Sequence, residues 1–321
     1  MFFEKTIKIN RVCLRYEGMQ YPLLQSGDGV AVVAPARKIS MPELSCALAV
    51  LEEAGFRPLL APHLFGSCGQ FSGTDAERAS DFQWAIDNPE AKAVWCARGG
   101  YGGMRIVDRL DFRPLLRHPK WVCGYSDTTV FHAALQSLGL ESLHCTMPVN
   151  VTPETAASRS VLTMLRCLRE GRAGYSVPAH PLNRHGCAEG TLCGGNLSLL
   201  YAMQASPTDL DTAGKILFIE DLDEYLYHID RMMLSLKRSG KLAGLAGLVV
   251  GNLSDMHDNA VPFGKTAEEI VWEHVAGYGY PVCFGFPAGH ANPAENSALV
   301  FGGKTSLAVG EEGVTLNINS V

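Results

Sequence analysis

A chain of 321 residues is longer than one ordinary hydrophobic core spans and suits two domains of roughly 150 residues each. Hydrophobic residues make up 47% and charged residues 19%, a globular composition that excludes a disordered chain. The net charge of −6 speaks against nucleic-acid binding, which calls for a basic face, and the absence of a run of about 18 apolar residues speaks against a membrane span.

The N-terminal twenty residues are interrupted by charges and lack the apolar stretch of a signal peptide, so the expected location is the cytoplasm. GVAVVAPA at 29–36 reads as a buried parallel strand. SMPELSCALAVLEEA at 40–54 reads as a helix with a Ser cap and an early Pro, stopped by Gly55. RPLLAP is a second strand, TDAERASDFQWAIDNPE a second helix capped by Thr74, and AKAVWCA a third strand that runs into RGGYGG. KWVCGYSDTTVFHAALQSLG then reads as strand, tight turn and helix. Strands alternating with helices predict a parallel α/β sheet, with ligands at the carboxyl ends of its strands.

After a helix at 157–171 comes a stretch rich in Gly, Pro and His, GRAGYSVPAHPLNRHG, which predicts a linker over 166–187 between domains 1–165 and 188–321. The second region holds the strands GTLCGGN, KILFIED and LAGLVVGN with the helices YHIDRMMLSLKRSG and TAEEIVWEHVAGYG. PVCFGFP, ALVFG, TSLAVG and GVTLNI follow as short strands. No pair of the ten cysteines has CxxC spacing and no Cys/His cluster has zinc-ligand spacing, so free buried thiols are expected.

Four segments can carry chemistry. Ser126 sits at a strand-to-helix turn, the architecture of a nucleophile elbow, where helix N–H groups can meet an oxyanion. The second glycine of GxSxG is absent, and Ser126 or Asp127 could equally be a helix cap. The glycines after the third strand, Gly99, Gly100 and Gly102, can aim backbone N–H groups at an anion or form a plain turn. Glu220, Asp221, Asp223 and Glu224 follow an apolar strand; such an acid can orient a histidine or belong to a solvated loop, and no second acidic cluster supports a metal pair. His290 follows a strand in a Gly/Pro loop, and His63 and His144 also follow apolar strands. Gly264-Lys265-Thr266 and Gly303-Lys304-Thr305 lack the upstream Gly of a phosphate loop.

In this order VAVVAPA, GTDAERASDF, ARGGYGGMRIVDRLDF, GYSDTTVFHAAL, HCTMP, GGNLSLL, ILFIEDLDEYLYHIDRM and FGFPAGH resemble the LD-carboxypeptidase family of serine peptidases, which includes the microcin-C immunity peptidases. The likeness spans about residues 27–315; residues 1–26 have no usable counterpart. It implies a flavodoxin-like parallel αβα N-terminal domain and a smaller β-rich α/β C-terminal domain, with the site between them in a homodimer. It implies Ser126 as nucleophile, His290 as general base and Glu220 as the acid that orients His290. The backbone N–H groups of Gly100 and Asp127 would form the oxyanion hole. The first domain would thus carry the nucleophile, and the second the acid and base.

The resemblance implies hydrolysis of the bond between an L-diamino acid and a terminal D-Ala in murein tetrapeptides, during cell-wall recycling, with no cofactor and no metal. The partner is then a muropeptide or similar small peptide, and no nucleic acid or membrane. Such a charged substrate calls for cleft residues that bind it, and Arg98, Arg231 and Asn196 are candidates by position. The alternatives are an immunity-type peptidase acting on aminoacyl-nucleotide conjugates, and a binding protein that keeps the fold without catalysis, which would predict loss of one triad member, whereas Ser126, Glu220 and His290 are all present. The loops after IED and GH depart from common family forms, here Leu222-Asp223-Glu224 and HANPAENSALVFG, so substrate preference is less firmly implied than mechanism.

Overall fold

The computed structural model describes residues 21–320. Cys13 and most of the N-terminal extension lie outside this range. The first half runs β1 (Gly29–Val33), α1 (Met41–Glu53), β2 (Arg57–Leu60), α2 (Asp75–Asp87), β3 (Ala91–Cys96), β4 (Trp121–Gly124), α3 (Thr129–Ser137), β5 (Ser142–His144) and α4 (Arg159–Glu170). The second runs β6 (Arg172–Pro178), β7 (Gly186–Asn196), α5 (Leu197–Ala202), β8 (Ile216–Leu222), α6 (Leu226–Arg238), β9 (Gly247–Ser254), α7 (Ala267–Val275), β10 (Val282–Cys283), β11 (Leu299–Phe301), β12 (Lys304–Val309) and β13 (Gly313–Asn319).

The first sheet has the order β11-β5-β4-β3-β1-β2, and its consecutive parallel part, 2-1-3-4-5, is the flavodoxin-like winding. All five residues of β1 are buried, as a strand covered on both faces requires. Paired caps start the flanking helices: Thr74 N donates to Glu77 Oε2 at 2.7 Å, and Glu77 N donates back to Thr74 Oγ1 at 3.3 Å. The other end of α2 is closed by Lys120, which is 5% exposed and donates to the carbonyls of Ala85, Ile86 and Asn88. Burial lowers its pKa to about 8.

The second sheet has the order β10-β9-β8-β7-β12-β13-β6. It is parallel from β10 to β7 and antiparallel from β7 to β6.

Two features correct the expected division. The segment 166–187 is no linker: it holds the end of α4, then β6, whose seven residues pair with β13, and the start of β7. Strand β11, from the C-terminal half, pairs antiparallel with β5 and completes the first sheet. The nine described cysteines are free thiols, but Cys68 and Cys187 are exposed rather than buried. No helix among the described residues is long and apolar enough to cross a membrane.

Candidate active site

The loops after β1, β3 and β4 meet at the carboxyl edge of the first sheet. Ser126 follows β4 with φ 60°, a left-handed backbone that costs a non-glycine residue about 1–3 kcal/mol and persists only where its surroundings impose it. Gly99 presses on it from the β3 loop. A methyl group at Gly99 would lie 3.1 Å from Ser126 Cβ, 3.2 Å from its Oγ and 3.4 Å from Asp127 N. The Asp127 carboxylate is buried and accepts from Gly103 N at 2.7 Å, locking the two loops together. Burial pushes the Asp127 carboxyl up, opposed by the N–H groups of Gly103 and Gly102 and by Arg78. Arg78 is 1% exposed and donates to the carbonyls of Pro35 and Gly102, so it fastens the β1 and β3 loops to α2.

The second sheet supplies the other groups. Glu220, near the end of β8, has a fully buried side chain, and its Oε2 lies 2.6 Å from His290 Nδ1. With the carboxylate as acceptor, Nδ1 carries the proton and Nε2 is left to accept one. Burial alone would lower the pKa of His290, but the charge and hydrogen bond of Glu220, helped by the charge of Asp221, outweigh it and raise it. The approach is close: a methyl group at Gly289, where φ is 121°, would lie 2.9 Å from Glu220 Oε2. Asn296 holds that loop by accepting from Gly289 N at 3.0 Å.

The two halves touch through Tyr125 and Thr129. The Tyr125 ring lies 4.6 Å from the His290 ring, one residue from Ser126, and Thr129 Oγ1 accepts from Asn196 N at 3.0 Å. The structure therefore brings the Ser126 turn, Glu220 and His290 into one site. Among the described residues Ser126 Oγ and His290 Nε2 share no hydrogen bond, and the His290 ring is hydrogen-bonded through Nδ1 alone.

The side chains of the remaining candidates are engaged in other contacts. Asn196 is 3% exposed and caps α5 by accepting from Leu199 N, while its Nδ2 donates to Asp221 Oδ1 at 2.9 Å. Asp221 also accepts from Ser198 N and Leu222 N; burial first, and Glu220 second, raise its pKa to about 7. Arg98 is held by Glu43 at 3.0 Å. Arg231 lies on α6 with its guanidinium 5.1 Å from the Tyr227 ring centre. His63 pairs with Asp81 at 2.7 Å. His144 is fully buried between Tyr125, Phe218 and Phe301, and burial holds its pKa well below the usual histidine value. Sequence reasoning missed Tyr125, Thr129 and Asn296. The first two adjoin Ser126 and were legible only as part of the turn; Asn296 sits in a loop whose course nothing local dictates.

Comparison with known proteins bears on this arrangement. Residues 30–145 match the LD-carboxypeptidase N-terminal domain and residues 189–307 the LD-carboxypeptidase C-terminal domain. The chain is 38% identical over 302 residues to a probable murein peptide carboxypeptidase of Bacillus subtilis, covering 90% of this chain and 91% of that one. It is 31% identical to the murein tetrapeptide carboxypeptidase of Pseudomonas aeruginosa, covering 88% and 94%. The crystal structure of a muramoyltetrapeptide carboxypeptidase from Oxalobacter formigenes superimposes with a TM-score of 0.84 at 29% identity, covering 91% of this chain and 99% of that one. A microcin C7 self-immunity protein of Escherichia coli is similar at a lower 27% identity over 76% of this chain.

Proposed function

The chain belongs to the LD-carboxypeptidase family of serine peptidases, and on that premise we propose that it releases the terminal D-Ala of murein tetrapeptides by cleaving its bond to the L-centre of a diamino acid. The observation that carries the reading is the His290–Glu220 bond of 2.6 Å, set against Tyr125 beside the strained Ser126. Ser126 Oγ attacks the carbonyl carbon and His290 Nε2 takes its proton. The C–N bond then breaks, the proton passes to the leaving amine, and D-Ala departs. Water activated by the same histidine hydrolyses the acyl-enzyme and frees Ser126. Glu220 orients the ring and stabilises the imidazolium. The N–H groups of Asp127 and Gly100 receive the oxyanion; losing one such donor typically costs about 10²–10³ in turnover.

In this reading residues 1–165 supply the nucleophile and 188–321 the acid and base. Family membership supports a homodimer, which light scattering tests. The enzyme would work in the cytoplasm, on peptides recovered there. The immunity-type alternative has less support, since the relatives named for murein peptides are the more similar ones.

The test is D-Ala release from a purified tetrapeptide by wild type beside Ser126→Ala. Release that is lost in the variant supports both the nucleophile and the substrate. Release that persists in Ser126→Ala rules out the serine mechanism. If neither protein releases D-Ala, aminoacyl-nucleotide conjugates become the substrates to assay.

A further inference from the structure

An enzyme that removes one terminal residue must read a free carboxylate one residue beyond the bond it cuts. The arginines around the nucleophile differ in whether they are free to do so. Arg98 is held by Glu43, Arg105 by Asp75, and buried Arg78 by Asp75 and two backbone carbonyls. Arg37, in the loop after β1, is exposed and has no ion-pair partner among the described residues.

Its place is fixed. Arg37 N donates to Gly99 O at 3.4 Å, and its backbone bridges to Phe71. The side chain lies flat on Gly100: a methyl group there would fall 2.6 Å from Arg37 Cδ and 2.8 Å from its Nε. Gly99, the preceding residue, presses on Ser126 Oγ and Asp127 N. Two adjacent glycines thus hold the nucleophile on one side and an unneutralised guanidinium on the other. The Arg37 side chain and the Ser126 turn therefore pack against neighbouring residues of one loop.

We propose that Arg37 binds the terminal carboxylate of the departing D-amino acid and so makes this site a carboxypeptidase rather than an amidase or endopeptidase. The inference rests on the reading of Ser126 given above. A planar guanidinium can grip a carboxylate through two parallel hydrogen bonds. It also offsets the repulsion between that carboxylate and the oxyanion forming beside it. The role is one of binding and specificity, since Arg37 moves no proton.

The experiment compares a tetrapeptide ending in D-Ala with the same peptide ending in D-alaninamide, using the full chain. Wild type should prefer the free acid. Arg37→Met should raise KM for the acid by about 10- to 100-fold, the scale of a lost charged hydrogen-bond pair, with a smaller change in kcat. It should leave the amide unaffected, so that the preference collapses, and Arg37→Lys should restore part of it. Arg57→Met, which removes an exposed arginine paired with Glu90, should change neither substrate. Thermal melts of each variant check folding. Equal losses on acid and amide, or no loss on either, would overturn the proposal while leaving the peptidase reading intact. Failure of wild type to release D-Ala from the free acid would overturn that reading, and this inference with it.

Discussion

Gly289→Ala perturbs the pair of Glu220 and His290 by an amount that the geometry of the loop dictates. The new methyl group would stand 2.9 Å from Glu220 Oε2 and 3.0 Å from Glu220 Cβ, where ordinary contact begins near 3.4 Å. The carboxylate must therefore retreat by about 0.4–0.5 Å, and Oε2 is the atom bonded to His290 at 2.6 Å. A misplacement of about 1 Å in a catalytic constellation can cost 10²-fold, so a shift of about half that implies roughly a tenfold fall in kcat, with KM little changed. The backbone adds its own cost. At φ 121° an alanine is strained by about 1–3 kcal/mol, and each kcal/mol lowers the melting temperature of a domain this size by about 2–4 °C. Steady-state D-Ala release and a thermal melt read the two effects separately. Gly277→Ala serves as control, because nothing lies within 4 Å of its added methyl group and its φ is not in the positive range. A Gly289→Ala enzyme with wild-type kcat and melting temperature would refute both the crowding argument and the placement of Glu220 behind His290.

Three further outcomes are expected. Glu220→Gln removes the charge that raises the pKa of His290 and leaves only a neutral amide beside Nδ1, so the acid limb of the kcat/KM profile should move to lower pH while kcat falls by about 10³–10⁴; an unmoved limb would count against Glu220 as the orienting acid. Because the folded pKa of His290 lies above its unfolded value near 6.5, the stabilisation it lends is complete below that pH and is lost as pH rises through the folded value; denaturant melts should therefore show a larger deficit for Glu220→Gln at pH 6 than at pH 8.5. Lys120 has the opposite sense: its pKa falls to about 8 on folding, so the unfolded chain binds the extra proton between about 8 and 10.4, and wild type should gain stability relative to Lys120→Met across that window. A constant difference between those two proteins would show that Lys120 is not buried as described.

Most of the first sheet was legible because its strands are uniform apolar runs and its helices begin with paired caps at Ser40 and Thr74. The Ser126 turn was legible as architecture, although its local pattern does not separate a nucleophile from a cap. Strand β6 was hidden by its composition. Ala173, Tyr175 and Val177 are buried and alternate with exposed Arg172, Gly174 and Ser176, but the glycine and proline around them outweighed that period of two. Arg98 pairs with Glu43 and Asn196 caps α5, and local sequence does not say which arginine an acid will neutralise or which amide a helix will recruit as its cap. Arg37 escaped notice for the converse reason. Its significance comes from Gly100, 63 residues away, which leaves the space that the side chain fills.

The pairing of β11 with β5 has a consequence for how the protein is made. As the chain leaves the ribosome, the sheet that positions Ser126 is nearly whole once β5 has emerged, but its outer edge must wait some 150 residues for β11. At about 5–20 residues per second that is roughly 8–30 s during which a strand edge with unmet backbone groups faces the cell. The order of synthesis thus completes the sheet around Ser126 only after Glu220 and His290 have been made.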